Sequence, residues 1–179
     1  MEANLQSRPM LEGLIATGPS NEHTDKLMLF GQFVGDWEAD LTVHNPDGTT
    51  QTEKTEWQWG WILEGRAIQD VWIVPRRVDR ASSKFNRYDY GTAIRSYDPK
   101  LDLWRIVWVS PPNKELMTFV AQQIGNEIVL EGADMDGTPM RWIFSEVTVN
   151  SYHWRRMHSG DGGKTWTVYK EMKVRRVGG

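Results

Sequence analysis

The sequence predicts an all-β chain: a single closed, antiparallel up-and-down barrel of about eight to ten strands with one short N-terminal helix. Two observations carry that expectation. From Trp37 onward apolar and polar residues alternate, the period of a strand with one buried face. Clusters of Gly, Pro, Asn and Asp interrupt the alternation about every ten residues, which is the punctuation of a meander. So many short strands do not remain one flat open sheet, and closure removes their exposed edges.

The elements follow in order. Residues 1–22 hold Pro9, Gly13, Gly18 and Pro19 and no sustained period, so they read as a poorly ordered arm before one domain over 23–179. Thr24 reads as an N-cap, and Leu27, Phe30 and Val34 at helical spacing predict a helix from Asp25 to Val34, ended by Gly35. Trp37, Ala39, Leu41 and Val43 then alternate with Glu38, Asp40, Thr42 and His44, and Asn45-Pro46-Asp47-Gly48 supplies a hairpin turn. Further strands are expected near 50–62, 65–74, 89–97, 102–110, 115–123, 126–133, 138–146, 150–158 and 165–176. The one long link, 75–88, leaves little room for the crossings of a Greek-key sandwich. No fixed-period repeat supports a propeller.

Composition narrows the function. The 179 residues carry a formal net charge of −3, which gives no electrostatic reason to expect nucleic acid or an anionic membrane as partner. Cysteine is absent, so disulfides, thiolate metal sites and cysteine nucleophiles are excluded, and a reducing compartment fits. The first twenty residues lack a signal peptide's apolar core, and no apolar run approaches the roughly 20 residues of a membrane helix. A cytoplasmic protein is expected. The histidines are His23, His44, His153 and His158; the last two fall on opposite strand faces, and no pair has metal-ligand spacing. No phosphate-cradling loop or nucleophile elbow is present, so no metal and no cofactor is expected.

Gly35-Asp36-Trp37, after a short helix and at the start of the first long strand, resembles the Gly-x-Trp opening of lipocalins and related calycin barrels. That resemblance implies a tryptophan plugging one end of the barrel beneath a basic residue of the last strand, here Arg175 or Arg176. Residues 25–176 also resemble a bacterial family of such barrels, the domain of unknown function numbered 1579. The matching words are Phe33 to Trp37, Leu63 to Ala67, Tyr97-Asp98 and Glu171 to Arg176; they imply the fold and little about chemistry. Ser159 to Trp166 resembles an Asp-box, read here as a hairpin brace. The basic segment Arg76 to Arg87 reads either as a solvated loop or as a portal flap that draws an anionic ligand.

Ten tryptophans suggest a core of large rings, a ring-lined cavity, or both. Strand parity selects Trp57, Trp59, Tyr97, Trp104, Trp108, Trp142, Trp154 and Tyr169 as ligand-binding residues. Arg95 shares an inward face with Gly91 and Ala93. For Glu171 periodicity points outward and the family's closing Glu…Arg pattern points inward; the inward reading is taken, with Arg95 or Arg156 as its partner. The function expected is binding of a small, largely apolar or aromatic molecule, carrying an anionic group if the basic loop contributes. The alternative is a cofactor-independent isomerase, cyclase or hydratase using Glu171, Arg95 and His158 as its acid–base groups. A scaffolding or homodimer contact is the third expectation.

Overall fold

The computed structural model describes residues 8–178. Its elements are α1 (Pro9–Leu14), β1 (Ile15–Ala16), α2 (Thr24–Gly31), β2 (Gly35–His44), β3 (Thr50–Ile62), β4 (Ala67–Val74), β5 (Asp89–Asp98), β6 (Leu103–Ser110), β7 (Glu115–Ile124), β8 (Glu127–Ala133), β9 (Pro139–Ser145), β10 (Ser151–His158) and β11 (Thr167–Arg176). Each strand from β2 to β11 pairs antiparallel with the next, and β11 returns to β2. The result is a closed ten-strand meander, with β1 as an extra strand on the end of β3.

The N-terminal segment differs from expectation. Within the described part of 1–22, Pro9–Leu14 is helical and Ile15 and Ala16 pair with Ile62 and Trp61. The Leu63 N–H donates to the Leu14 carbonyl at 2.9 Å and the Ser20 N–H to that of Gly65 at 3.0 Å. Backbone bonds to the β3–β4 turn thus order a stretch that has no periodicity of its own. Helix α2 also departs from its predicted cap. His23, in the left-handed region at φ 59°, precedes it, and the Thr24 hydroxyl donates to the Ser20 carbonyl at 3.0 Å.

Helix α2 closes one end of the barrel. Leu27 and Phe30 face inward, Phe30 meets Trp104 edge-on at 5.0 Å, and Phe33 meets Tyr152 at 4.8 Å. Trp37 is buried, and its indole N–H donates to the Phe33 carbonyl at 2.6 Å. The guanidinium of Arg176 lies 4.0 Å from the Trp37 ring and donates to the carbonyls of Gln32, Val34 and Val149. Of the two candidates, Arg176 is therefore the basic residue over the tryptophan. Arg175 points outward and pairs with Asp40 at 2.7 Å. Gly35 has φ 130°, and a Cβ there would sit 2.5 Å from the Arg176 guanidinium; both backbone and space demand glycine.

The Asp-box segment braces the β10–β11 hairpin. Asp161 accepts from the Ser159 and Thr165 hydroxyls and from the Lys164 and Thr165 N–H groups, at 2.7–3.0 Å. Those bonds, led by the Thr165 hydroxyl, hold its carboxyl well below the usual range. Trp166 packs outside the barrel, with the Arg141 guanidinium 4.3 Å over it.

Candidate functional site

The end of the barrel opposite α2 is open. The strand ends there and the 75–88 link enclose a cavity of about 370 Å³, whose walls include Leu41, Val43, Trp72 and Phe85. Beneath it a recess of about 30 Å³ is walled by Trp57, Trp72, Trp108, Trp142 and Trp154. Trp72, Asp89, Glu115, Arg156 and Lys170 line both spaces and so form a neck between them.

A register shift builds one side of this neck. Arg156 pairs with Lys170 but Met157 pairs with Val168, so Tyr169 is an extra residue in β11. A bulge re-aims side chains that strict alternation would place on opposite faces. Tyr169 and Lys170, adjacent in sequence, consequently both face the cavity.

Most charges at the site are matched. Arg156 donates to Asp134 at 2.7 Å and to His158 Nε2 at 3.2 Å. The same Nε2 lies 3.4 Å from Asp134; burial and then the Arg156 charge lower the His158 pKa. The Trp108 N–H donates to Glu115 at 2.9 Å, and the Ser110 hydroxyl to Asp89 at 2.5 Å. Burial raises the Asp89 carboxyl despite that bond. Among the described residues Arg87 reaches only neutral oxygens, the Tyr169 hydroxyl at 2.5 Å and the Asn45 side-chain carbonyl oxygen at 3.1 Å.

Lys170 has no hydrogen bond or ion pair among the described residues; its ammonium lies 5.4 Å from the Tyr169 ring. Burial, followed by the Arg156 charge, lowers its pKa to about 8. The buried indole N–H groups of Trp72, Trp142 and Trp154 likewise find no acceptor among the described residues.

The sequence-derived site residues divide by location. Trp57, Trp108, Trp142 and Trp154 wall the recess, and Tyr169 and His158 line the cavity above it. Trp59 and Trp104 instead belong to the packed core toward the helix end. Tyr97 lies outside that core, donating to Asp102 at 2.6 Å; Lys26 donates to the same oxygen at 2.6 Å. These three edge a broad, polar hollow of about 590 Å³ against α2. Lys26, Tyr97 and Asp102 already satisfy one another there, and the hollow lacks the stacked ring walls of the barrel mouth.

Two acid–base assignments need correction. Glu171 faces outward, as its parity indicates, and accepts from His44 at 2.9 Å and His153 at 2.8 Å. Burial acts to raise its pKa, but the two imidazole hydrogen bonds outweigh it and the net direction is down. Arg95 is fully buried among the rings, where it pairs with Asp70 and lies 4.2 Å over Trp59. Neither residue lines the cavity. The basic loop is also largely tied down: Arg76 binds Glu38 and Asp79, and Arg77 binds Glu56. Only its last cation, Arg87, reaches the mouth.

Sequence reasoning missed Trp72, Asp89, Glu115 and Lys170. Their parity was readable: Lys170 is in step with Met172 and Val174, and Trp72 with Ile68 and Val74. Among the described residues no cluster of three or more His, Asp or Glu side chains is arranged to hold a metal. No helix among them is long and apolar enough to cross a membrane.

No family model matches the chain, and no curated protein matches it. Among solved structures it is similar to the S-type phycobiliprotein lyase CPES from Guillardia theta. The identity is 11%, the TM-score is 0.56, and the match covers 88% of this chain and 98% of that one. At that identity the likeness is one of fold alone, and it supports the closed antiparallel barrel.

Proposed function

We propose that the barrel mouth binds a small molecule with a flat, largely apolar body and an anionic group. The observation that carries this reading is the cavity of about 370 Å³, floored by indoles and bordered by a cation, Arg87, that has no carboxylate partner among the described residues. Rings and aliphatic side chains would cover the body of the ligand, and Arg87 would take its anion by a charge-assisted bond. The likeness to a protein named a phycobiliprotein lyase adds that a barrel of this shape can serve small-molecule chemistry. Membership of the bacterial domain of unknown function 1579 and a cytoplasmic setting belong to the same reading, supported by the sequence words given above and by the absence of cysteine.

The test is titration of the intrinsic tryptophan fluorescence with matched pairs of aromatic carboxylates and their neutral amides. Saturable quenching is expected, tighter for the carboxylate, and Arg87→Met should weaken the carboxylate by about tenfold with little effect on the amide. No quenching across the panel would remove the binding reading.

A second reading, a cofactor-independent isomerase, cyclase or hydratase, draws on one observation: Lys170, Asp89 and Glu115 share the neck and His158 stands beside it. Mass spectrometry of a metabolite extract incubated with the protein separates the two. A compound retained unchanged favours binding, and one converted to a new species favours catalysis.

A further inference from the structure

We propose that the ligand site is a carbonyl-capture site, in which Lys170 Nζ condenses reversibly with an aldehyde seated at the neck to form an imine. This inference rests on the binding reading and names the class of group that the neck takes.

The geometry has three parts. First, Lys170 makes no hydrogen bond or ion pair among the described residues, although Asp89 and Glu115 lie within the range of its charge, whereas Arg156 is engaged by Asp134 at 2.7 Å. An ammonium held for charge alone would be expected against a carboxylate, as the other cation of the neck is. Second, the recess below Lys170 is about 30 Å³, the room taken by one small polar group. The buried N–H groups of Trp72, Trp142 and Trp154 in its walls lack acceptors, and a carbonyl oxygen accepts without donating. Third, Asp89 and Glu115 line the same neck, so proton carriers stand beside the amine.

The step balances without a co-reactant beyond the aldehyde. The neutral amine's electron pair forms the N–C bond, and the carbonyl π pair moves to oxygen, which takes a proton. The C–O bond of the resulting carbinolamine then breaks. Both amine hydrogens leave with that oxygen as water, and N=C remains. The Asp89 carboxyl, raised by burial, is suited to protonate the departing hydroxyl. The nucleophile must be neutral. With a pKa of about 8, Lys170 is about 9% neutral at pH 7, against about 0.03% for an ordinary lysine titrating at 10.5.

The experiment uses naphthaldehyde with cyanoborohydride, which traps an imine as a stable amine heavier by the aldehyde less one oxygen. Peptide mass spectrometry locates the adduct. Labelling of Lys170 is expected at least tenfold faster than at any other lysine at pH 7, with a rate that climbs to a plateau above about pH 8. Lys170→Arg, checked for folding by its thermal transition, should lose the fast-labelled position. Naphthylmethanol, which cannot form an imine, is titrated in parallel against the tryptophan fluorescence. If the alcohol binds and no preferential adduct forms at Lys170, carbonyl capture is overturned and the binding reading stands. If neither the alcohol nor the carboxylate and amide panel quenches the fluorescence, the binding reading falls and carbonyl capture, which rests on it, falls with it. Even labelling across all lysines also overturns the proposal.

Discussion

Arg95 and Asp70 are both fully buried, with one guanidinium nitrogen on the carboxylate. The Nε and Nη2 groups of Arg95 have no acceptor among the described residues, and the ring faces of Trp59 at 4.2 Å and Phe30 at 5.2 Å supply the rest of its surroundings. Burial raises the Asp70 carboxyl, and the Arg95 charge opposes it. Such a pair is costly to break and cheap to replace whole, because removing one partner strands the other charge out of water. Arg95→Met is accordingly expected to cost about 3–5 kcal/mol in urea denaturation, and adding Asp70→Leu should recover much of that loss. A single-variant cost below about 1 kcal/mol would mean that the pair is not held as an ion pair. The face of Arg95 was legible from its step with Gly91 and Ala93; its partner was not. Parity gives a face, whereas the neighbour on that face depends on the register of β4 against β5, which sets Asp70 opposite Ala93. For Glu171 parity alone was right, and the family pattern misled.

At the scale of the strand, β5 and β6 show how packing is encoded in a single small residue. A Cβ on Gly91 would lie 2.3 Å from the Trp108 ring, so the glycine is where an indole crosses the neighbouring backbone. Gly91→Ala should cost about 1–3 kcal/mol by overpacking. Because Trp108 walls the recess and holds Glu115 at 2.9 Å, the variant should also alter the near-ultraviolet circular dichroism and weaken ligand quenching. An unchanged spectrum would show that Trp108 does not move. Strands and turns of this kind were readable because alternation and turn chemistry are local. The β11 bulge was not. It arises from the match between β10 and β11 after both have formed, and it turns Tyr169 and Lys170 toward one cavity against the simple period of two.

Across the whole molecule the two ends of the barrel differ in composition and in consequence. The helix end is consolidated by Phe30, Phe33, Trp37, Tyr152 and the Arg176 cover, whereas the open end retains ionisable groups in a desolvated neck. That neck lowers stability, and Lys170 makes the cost measurable. Its folded pKa is about 8, against 10.5 for an ordinary lysine. Below about pH 8 both states hold the proton, and the folded state bears the full cost of burying the charge. Between about 8 and 10.5 the unfolded chain still binds the proton while the folded chain has released it, so stability rises with pH through that window. Above it both forms are neutral. Lys170→Met removes the charge, and the drop from 10.5 to about 8 corresponds to about 3 kcal/mol of added stability at pH 7. Urea denaturation of both proteins from pH 7 to 10 should show the variant's advantage shrinking steadily above about pH 8. A difference that stays flat across that range would mean that the Lys170 ammonium is solvated in the mouth. It would then have neither the cost nor the neutral fraction on which carbonyl capture depends.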